Sequence, residues 1–149
     1  MTTRRSRGAA NLGLYRRRCG DAEAAVLLGH EAVRGLSDTV GPEHPTTLNA
    51  TVTLANSCTA TGHHEWAEEL GRAALHRLSE RLGHEHPDTP ACRANLAVTV
   101  RDLGRHHEAR ELRSEALAAI IRLLGDEHPH VRDARAWRQI DRDLEPQPF

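Results

Sequence analysis

The chain has 149 residues, which is one domain or a short stack of repeats and too little for a multi-domain enzyme. Aromatic residues are only 3% and the apolar positions are mostly Ala, Leu and Val, a composition that suits closely packed helices rather than sheets. The formal net charge of −1 argues against a generally nucleic-acid-binding surface, and because all 20 basic residues are Arg, lysine Schiff-base and phosphate-loop chemistry is excluded.

The first 40 residues predict two helices around Gly20. The earlier one is rich in arginine (Arg4, Arg5, Arg7, Arg16, Arg17, Arg18) and carries Leu12 followed by the small Gly13. These arginines could grip phosphates or an acidic partner, but with Tyr15 as the single nearby stacking residue a solvated helix face is the stronger reading. In the later helix Ala25, Leu28, Ala32 and Leu36 are spaced by 3, 4 and 4, which puts them on one face.

The pattern then repeats every 42 residues. Leu54 with Ala55, then Gly62, Ala67, Leu70, Ala74 and Leu78 form a second copy; Leu96 with Ala97, then Gly104, Ala109, Leu112, Ala116 and Ile120 form a third. Between copies stand "GPEHP", "GHEHP" and "GDEHP". Gly41, Gly83 and Gly125 suit a left-handed residue that ends a helix, and Pro45, Pro87 and Pro129 suit the first turn of the next. His44, His86 and His128 fall near the helix N-caps, so their recurrence fits a linker framework better than a catalytic centre. Each unit therefore reads as helix A, turn, helix B, over about 4–40, 45–82 and 87–124.

The closing segment "PHVRDARAWRQIDRDLEPQPF" begins like a fourth helix A. Val131, Ala134, Trp137, Ile140 and Leu144 form an apolar stripe, predicting a capping helix over about 129–145 stopped by Pro146, with a short tail at 146–149. Asp141, Asp143 and Glu145 here oppose the N-terminal arginines, a polarity that suits head-to-tail self-association through the ends of the stack.

No catalytic or metal constellation is expected. The histidines and acids that could bind zinc (His84, His86, Asp88, and the pairs His63/His64 and His106/His107) fall in different turns and linkers, so no metal and no cofactor is assigned. Cys19, Cys58 and Cys92 lack C-x-x-C spacing and read as buried reduced thiols. There is no G-x-S-x-G, H-E-x-x-H, phosphate loop or dinucleotide fingerprint. The absence of an 18-residue apolar run and of an N-terminal apolar core argues against membrane insertion or secretion and predicts a cytoplasmic protein.

The run "NLA" at 95–97, followed by Gly104, Ala109 and Ala116, resembles the tetratricopeptide repeat, and the 42-residue spacing with G-x-E-H-P linkers resembles the longer variant of kinesin light chains and many bacterial signalling proteins. The likeness covers roughly residues 8–140, and the Gly-x4-Ala spacing favours it over armadillo or HEAT repeats. It implies an all-α, right-handed α-solenoid of three helix-turn-helix repeats plus the capping helix. Tyr15 and Trp66 are the nearest counterparts of the aromatics the family carries where helices A and B meet. It further implies a non-enzymatic module that binds a peptide or helical segment of a partner protein in a signalling or regulatory assembly. The alternative is a nucleic-acid-associated regulator using the Arg-rich first helix. In the family the A helices line the concave groove, which here assigns Arg7, Leu14, Arg17, Asn49, Val52, Asn56, Thr59, Asn95, Val98 and Arg101 to the partner surface. Asn56 and Arg101 are expected to face solvent there. The positions that hold a C-terminal carboxylate in chaperone-binding members read Ala10, Leu14, Thr53, Ala91 and Asn95, so such a ligand is rejected.

Overall fold

Six glycines, Gly20, Gly41, Gly62, Gly83, Gly104 and Gly125, have φ between 82° and 102° and mark the six places where the chain reverses between one helix and the next. The computed structural model describes residues 2–141, and among them every regular element is a helix. The helices are α1 (Thr3–Arg18), α2 (Ala22–Thr39), α3 (Pro45–Ala60), α4 (His64–Leu82), α5 (Asp88–Asp102), α6 (His106–Leu124) and α7 (Pro129–Arg135). None of them is long and apolar enough to cross a membrane.

The two kinds of glycine do different local work. At the A-to-B turns the Gly20 N–H donates to the Arg17 carbonyl (3.0 Å) and the Asp21 N–H to that of Arg16 (2.8 Å); Gly62 with His63, and Gly104 with Arg105, repeat the pair. This is the Schellman closure, which uses the orphan carbonyls at a helix end. In the inter-repeat linkers the histidines are the caps. His44 Nδ1 accepts from the Thr46 N–H (3.2 Å), His86 Nδ1 from Asp88 (3.2 Å) and His128 Nδ1 from His130 (3.1 Å). Each therefore presents an unprotonated Nδ1 to the helix start. Thr47 and Thr89 tighten their linkers by donating Oγ1–H to the carbonyls of Gly41 (2.7 Å) and Gly83 (2.8 Å), whereas Val131 at the corresponding third position has no hydroxyl.

Each helix packs on its sequence neighbours, and the odd-numbered helices also touch one another in series. The backbones of the even-numbered helices stay apart among the described residues and only side chains bridge them, so the A helices form the inner layer of a curved stack. Ala25, Ala67 and Ala109 are buried where A and B cross, with Ala32, Ala74, Ala116, Leu36, Leu78 and Ile120 behind them. Between repeats, Leu54 rests on Gly29, whose added Cβ would lie 2.9 Å from Leu54 Cδ1, and Leu96 rests on Gly71 at 3.4 Å. Leu12 holds the same repeat position, no other described helix lies on it, and it is 46% exposed, against 2% for Leu54 and Leu96. The expected A/B aromatics do not serve as such: Tyr15 is exposed, and Trp66 stacks on His30 at 4.7 Å between neighbouring B helices.

Across the outer layer Glu68 accepts hydrogen bonds from Arg72 (2.9 Å) and Arg105, and Arg72 bonds Glu108 (2.5 Å), tying α4 to the start of α6. Burial alone would raise the Glu68 carboxyl, but the hydrogen bonds from Arg105 and Arg72 outweigh it and hold the group below its ordinary value. The network therefore supports the fold at neutral pH and is lost as acid protonates Glu68.

The last helix departs from expectation. The apolar stripe predicts a helix to about 145, yet α7 ends at Arg135. The Trp137 N–H donates to the Ala134 carbonyl (3.2 Å) and the Arg138 N–H to that of Asp133 (2.8 Å), the same closure that ends α1, α3 and α5. Trp137 takes the left-handed position with φ 57°, which glycine takes in the closures of α1, α3 and α5. That conformation costs a bulky residue roughly 1–2 kcal/mol. Offsetting it, the Trp137 ring packs beside Leu96, Val100 and Ala109, with the guanidinium carbons of Arg113 and Arg101 4.1 and 4.9 Å from its centroid. Leu144 and the rest of the predicted capping helix lie outside the described residues.

The A/B crossings admit only a small side chain, so Ala109→Leu is expected to overpack and cost about 1–3 kcal/mol of stability. Chemical denaturation of the variant beside the parent checks this; an unchanged midpoint would mean that Ala109 is not at a tight crossing.

Candidate partner-binding groove

The inner layer is covered. After α7 the chain runs back over the A helices as a strap, residues 136–141, and its backbone is held by one amide. Asn95 Nδ2 donates to the Ile140 carbonyl (2.9 Å) while Asn95 Oδ1 accepts from the Ile140 N–H (2.6 Å). Asn56 Nδ2, on α3, reaches the same carbonyl at 3.5 Å. A side-chain amide that pairs both polar groups of one residue reads an extended backbone as a neighbouring strand would, whatever the side chain. The Ile140 side chain is buried beside Ala91, Ala94, Val131 and Ala134.

Both flanks of Ile140 are tied as well. Arg17 on α1 donates to Gln139 Oε1 (2.8 Å) and to the Asp141 carboxylate, and Arg18 Nε lies 3.5 Å from the other Asp141 oxygen. With its side chain only 8% exposed, Arg17 is a desolvated charge whose partner matters, because losing one member of such a pair leaves the other buried and uncompensated. On the other side Trp137 is gripped by Arg101 and Arg113. The strap thus spans α5, α3 and α1 in turn.

Four of the residues assigned from sequence, Arg17, Asn56, Asn95 and Arg101, meet the strap. Asn49 and Val52 border the recess around Ile140, and Asn49 Nδ2 donates to Asp88 Oδ2 at 2.9 Å. Thr59 pairs its hydroxyl with that of Thr99 (2.9 Å), joining α3 to α5 in the floor. Leu14 and Val98 are buried, and Arg7 is half-buried with no hydrogen bond or ion pair to the strap among the described residues. The expectation that Asn56 faces solvent is corrected: it is 2% exposed, because the strap lies over it. Sequence reasoning missed Trp137, Gln139, Ile140 and Asp141 as groove contacts, since the i, i+3 spacing of Trp137 and Ile140 belongs equally to a helix face.

The N-terminal arginines are only partly free. Arg16 lies 3.8 Å from Asp21, and Arg17 and Arg18 share Asp141; Arg4 and Arg5 are exposed. Asp141, expected to mark an acidic end for association between molecules, pairs within the chain, and Asp143 and Glu145 lie outside the described residues.

Cys58 and Cys92 are buried free thiols, and burial pushes them up to about 11 and about 12. Neither forms a thiolate at neutral pH, which a nucleophile requires. Cys19, expected to be buried, is exposed at the end of α1. His130 is held below its ordinary value, first by burial and then by His128, with Asp133 opposing, so charging it in acid works against the fold. Among the described residues no three His, Cys, Asp or Glu side chains converge as a metal-ligand set.

Residues 91–130 match the family model of the tetratricopeptide repeat. Among solved structures the chain is similar to a Podosopora anserina protein described as a kinesin light chain with nearly identical TPR-like repeats. The match is 28% identical with a TM-score of 0.80, covering 89% of this chain and 63% of that one. A single-substitution variant of that protein matches with TM-score 0.79 at the same identity and coverage. BtubC (BKLC) from P. vanneervenii is 25% identical with TM-score 0.68, covering 83% of this chain and 48% of its own. The chain thus spans less than two thirds of the length of these structures. No curated protein sequence matches it.

If Asn95 clamps Ile140, then Asn95→Ala leaves the Ile140 N–H unpaired and its C=O with only the 3.5 Å contact from Asn56, at a cost of about 1–3 kcal/mol. Hydrogen exchange at the Ile140 amide should accelerate accordingly while the amides of α3 and α6 keep their protection. Equal exchange in parent and variant would contradict the clamp.

Proposed function

Because the chain carries tetratricopeptide repeats of the kinesin-light-chain-like type, we propose that it is a non-enzymatic protein-interaction module. Its inner groove receives an extended segment of a partner protein, within a cytoplasmic signalling or regulatory assembly of a bacterium. The observation that carries this reading is the two-way hydrogen bonding between Asn95 and the Ile140 backbone. A groove equipped to hold backbone in extended form, with Arg17 and Arg18 ready for an acidic residue beside an apolar one, suits a peptide ligand better than a rigid globular surface. In this reading Asn49, Val52, Asn56 and Arg101 contribute to the same surface, and the strap competes with the partner for it. Self-association through the ends of the stack is a second contact, supported by Leu12 and Tyr15, which lie exposed on α1.

The nucleic-acid alternative rests on the basic first helix, and the pairing of Arg16, Arg17 and Arg18 with Asp21 and Asp141 weakens it by engaging half of that cluster and offsetting two of its charges.

The test is quantitative capture of partners from nuclease-treated native extract. Ile140→Ser combined with Asp141→Ala, checked for intact helix content, frees the groove and should raise partner affinity about tenfold if the strap is worth about 1.4 kcal/mol. Adding Asn95→Ala should remove the gain. Capture that ignores these changes but appears only in untreated extract, or is lost with Arg4, Arg5 and Arg16 all changed to Ala, would hand the function to the basic helix.

A further inference from the structure

The early stop of α7 leaves a space that the repeat would otherwise fill. In the first two repeats the B helix has Gly29 or Gly71 at the point where a leucine of the next A helix lands. In the third repeat that position is Arg113, and the residue 42 positions beyond Leu96 is Arg138, already past the end of α7. The result is a recess of about 260 Å³ lined by Arg101, His106, Arg110, Arg113 and Trp137, with no acidic residue in its lining. Arg110 likewise departs from the pattern, standing where the second repeat has Glu68.

The positive groups here are undercompensated. Neither Arg110 nor Arg113 forms an ion pair among the described residues, and the nearest carboxylate to Arg101 is its chain neighbour Asp102 at 3.4 Å. Arg113 gives one guanidinium N–H to the Arg135 carbonyl (3.2 Å), while its Nε is buried without a hydrogen-bond partner. Arg113 and Arg101 both stack on Trp137, which fixes two guanidinium planes against one ring instead of leaving them to sweep through solvent. His106 is the first residue of α6, a helix start with no side-chain cap, whose first-turn acid Glu108 is engaged by Arg72 and Arg105.

We propose that this recess is a binding site for a phosphoryl-type oxyanion. Three guanidiniums, two of them held in place, beside an uncapped helix start offer more charged donors than a single carboxylate can use, and a tetrahedral dianion is the small group that matches such a set. The anion is either free phosphate or the phosphorylated side chain of a protein, and both present the same chemistry. The site shares Arg101 and Trp137 with the strap but uses neither Asn95 nor Arg17, and its test needs no peptide in the groove.

Trp137 supplies the readout. In a full-length Trp66→Phe background its emission reports the recess alone, and the protein is titrated at constant ionic strength with inorganic phosphate and, separately, with a short phosphoserine peptide. A saturable change in Trp137 emission is expected. Arg110→Gln, whose side chain does not stack on Trp137, should weaken it at least about tenfold with unchanged circular dichroism and melting temperature. Saturation by the peptide at tenfold or more lower concentration than by phosphate assigns the site to a phosphorylated protein; comparable or tighter phosphate binding assigns it to the free anion. The proposal is overturned if neither probe saturates, if chloride gives the same response, or if Arg110→Gln responds as the parent does.

Discussion

Only a small side chain fits where helix B crosses helix A. Ala25, Ala67 and Ala109 are each no more than 1% exposed at these crossings, and the distance they permit lets each hairpin close on a shared apolar strip. A second close approach, Leu54 on Gly29 and Leu96 on Gly71, stacks one hairpin on the next. These two contacts, repeated at a 42-residue interval, dictate the inner layer of α1, α3 and α5 and hence the groove. The turns serve them: a left-handed glycine after each of α1–α6 reverses the chain, and a histidine Nδ1 starts each new A helix after a linker.

A stack of this kind is one-dimensional, since each repeat contacts only its neighbours and nothing internal ties the ends together. The strap changes that. By ending α7 with a left-handed Trp137, the chain turns Ile140 into the groove and brings Asp141 to Arg17, so an ion pair joins the first helix to the last described residue. The groove of a repeat protein is normally where a partner's segment would lie. Here the chain's own segment supplies the apolar residue, the backbone pairing and the acid. The structural consequence is a link between the opening of the groove and the independence of its two ends.

The repeat fold was legible because its determinants are local and periodic: small residues at fixed spacing, glycine where φ must be positive, proline where an N–H has no partner. The histidines were legible as linker residues because a true metal site would not recur in every linker. The strap was not legible, for a definite reason. Val131, Ala134, Trp137 and Ile140 keep helical spacing, and no glycine marks the stop; what ends α7 is the packing of Trp137 against Leu96 and Val100 and between Arg101 and Arg113, residues 24 to 41 positions away. The same blindness misjudged Asn56, polar on an A helix and therefore read as solvent-facing, though a segment 84 residues later covers it. For Leu12 the periodicity was right and the environment differed, because a repeat position is buried by the neighbouring B helix and no described helix lies over Leu12.

The central claim is that the C-terminal strap closes across the A helices onto α1, and a double-mutant cycle on Arg17 and Asp141 tests it most directly. Denaturation of Arg17→Ala, Asp141→Ala and the double variant should give a coupling free energy of about 0.5–3 kcal/mol, as for residues in contact. Effects that add to within roughly 0.3–0.5 kcal/mol, as they do for distant independent sites, would mean that the two residues do not meet and that the groove stands open.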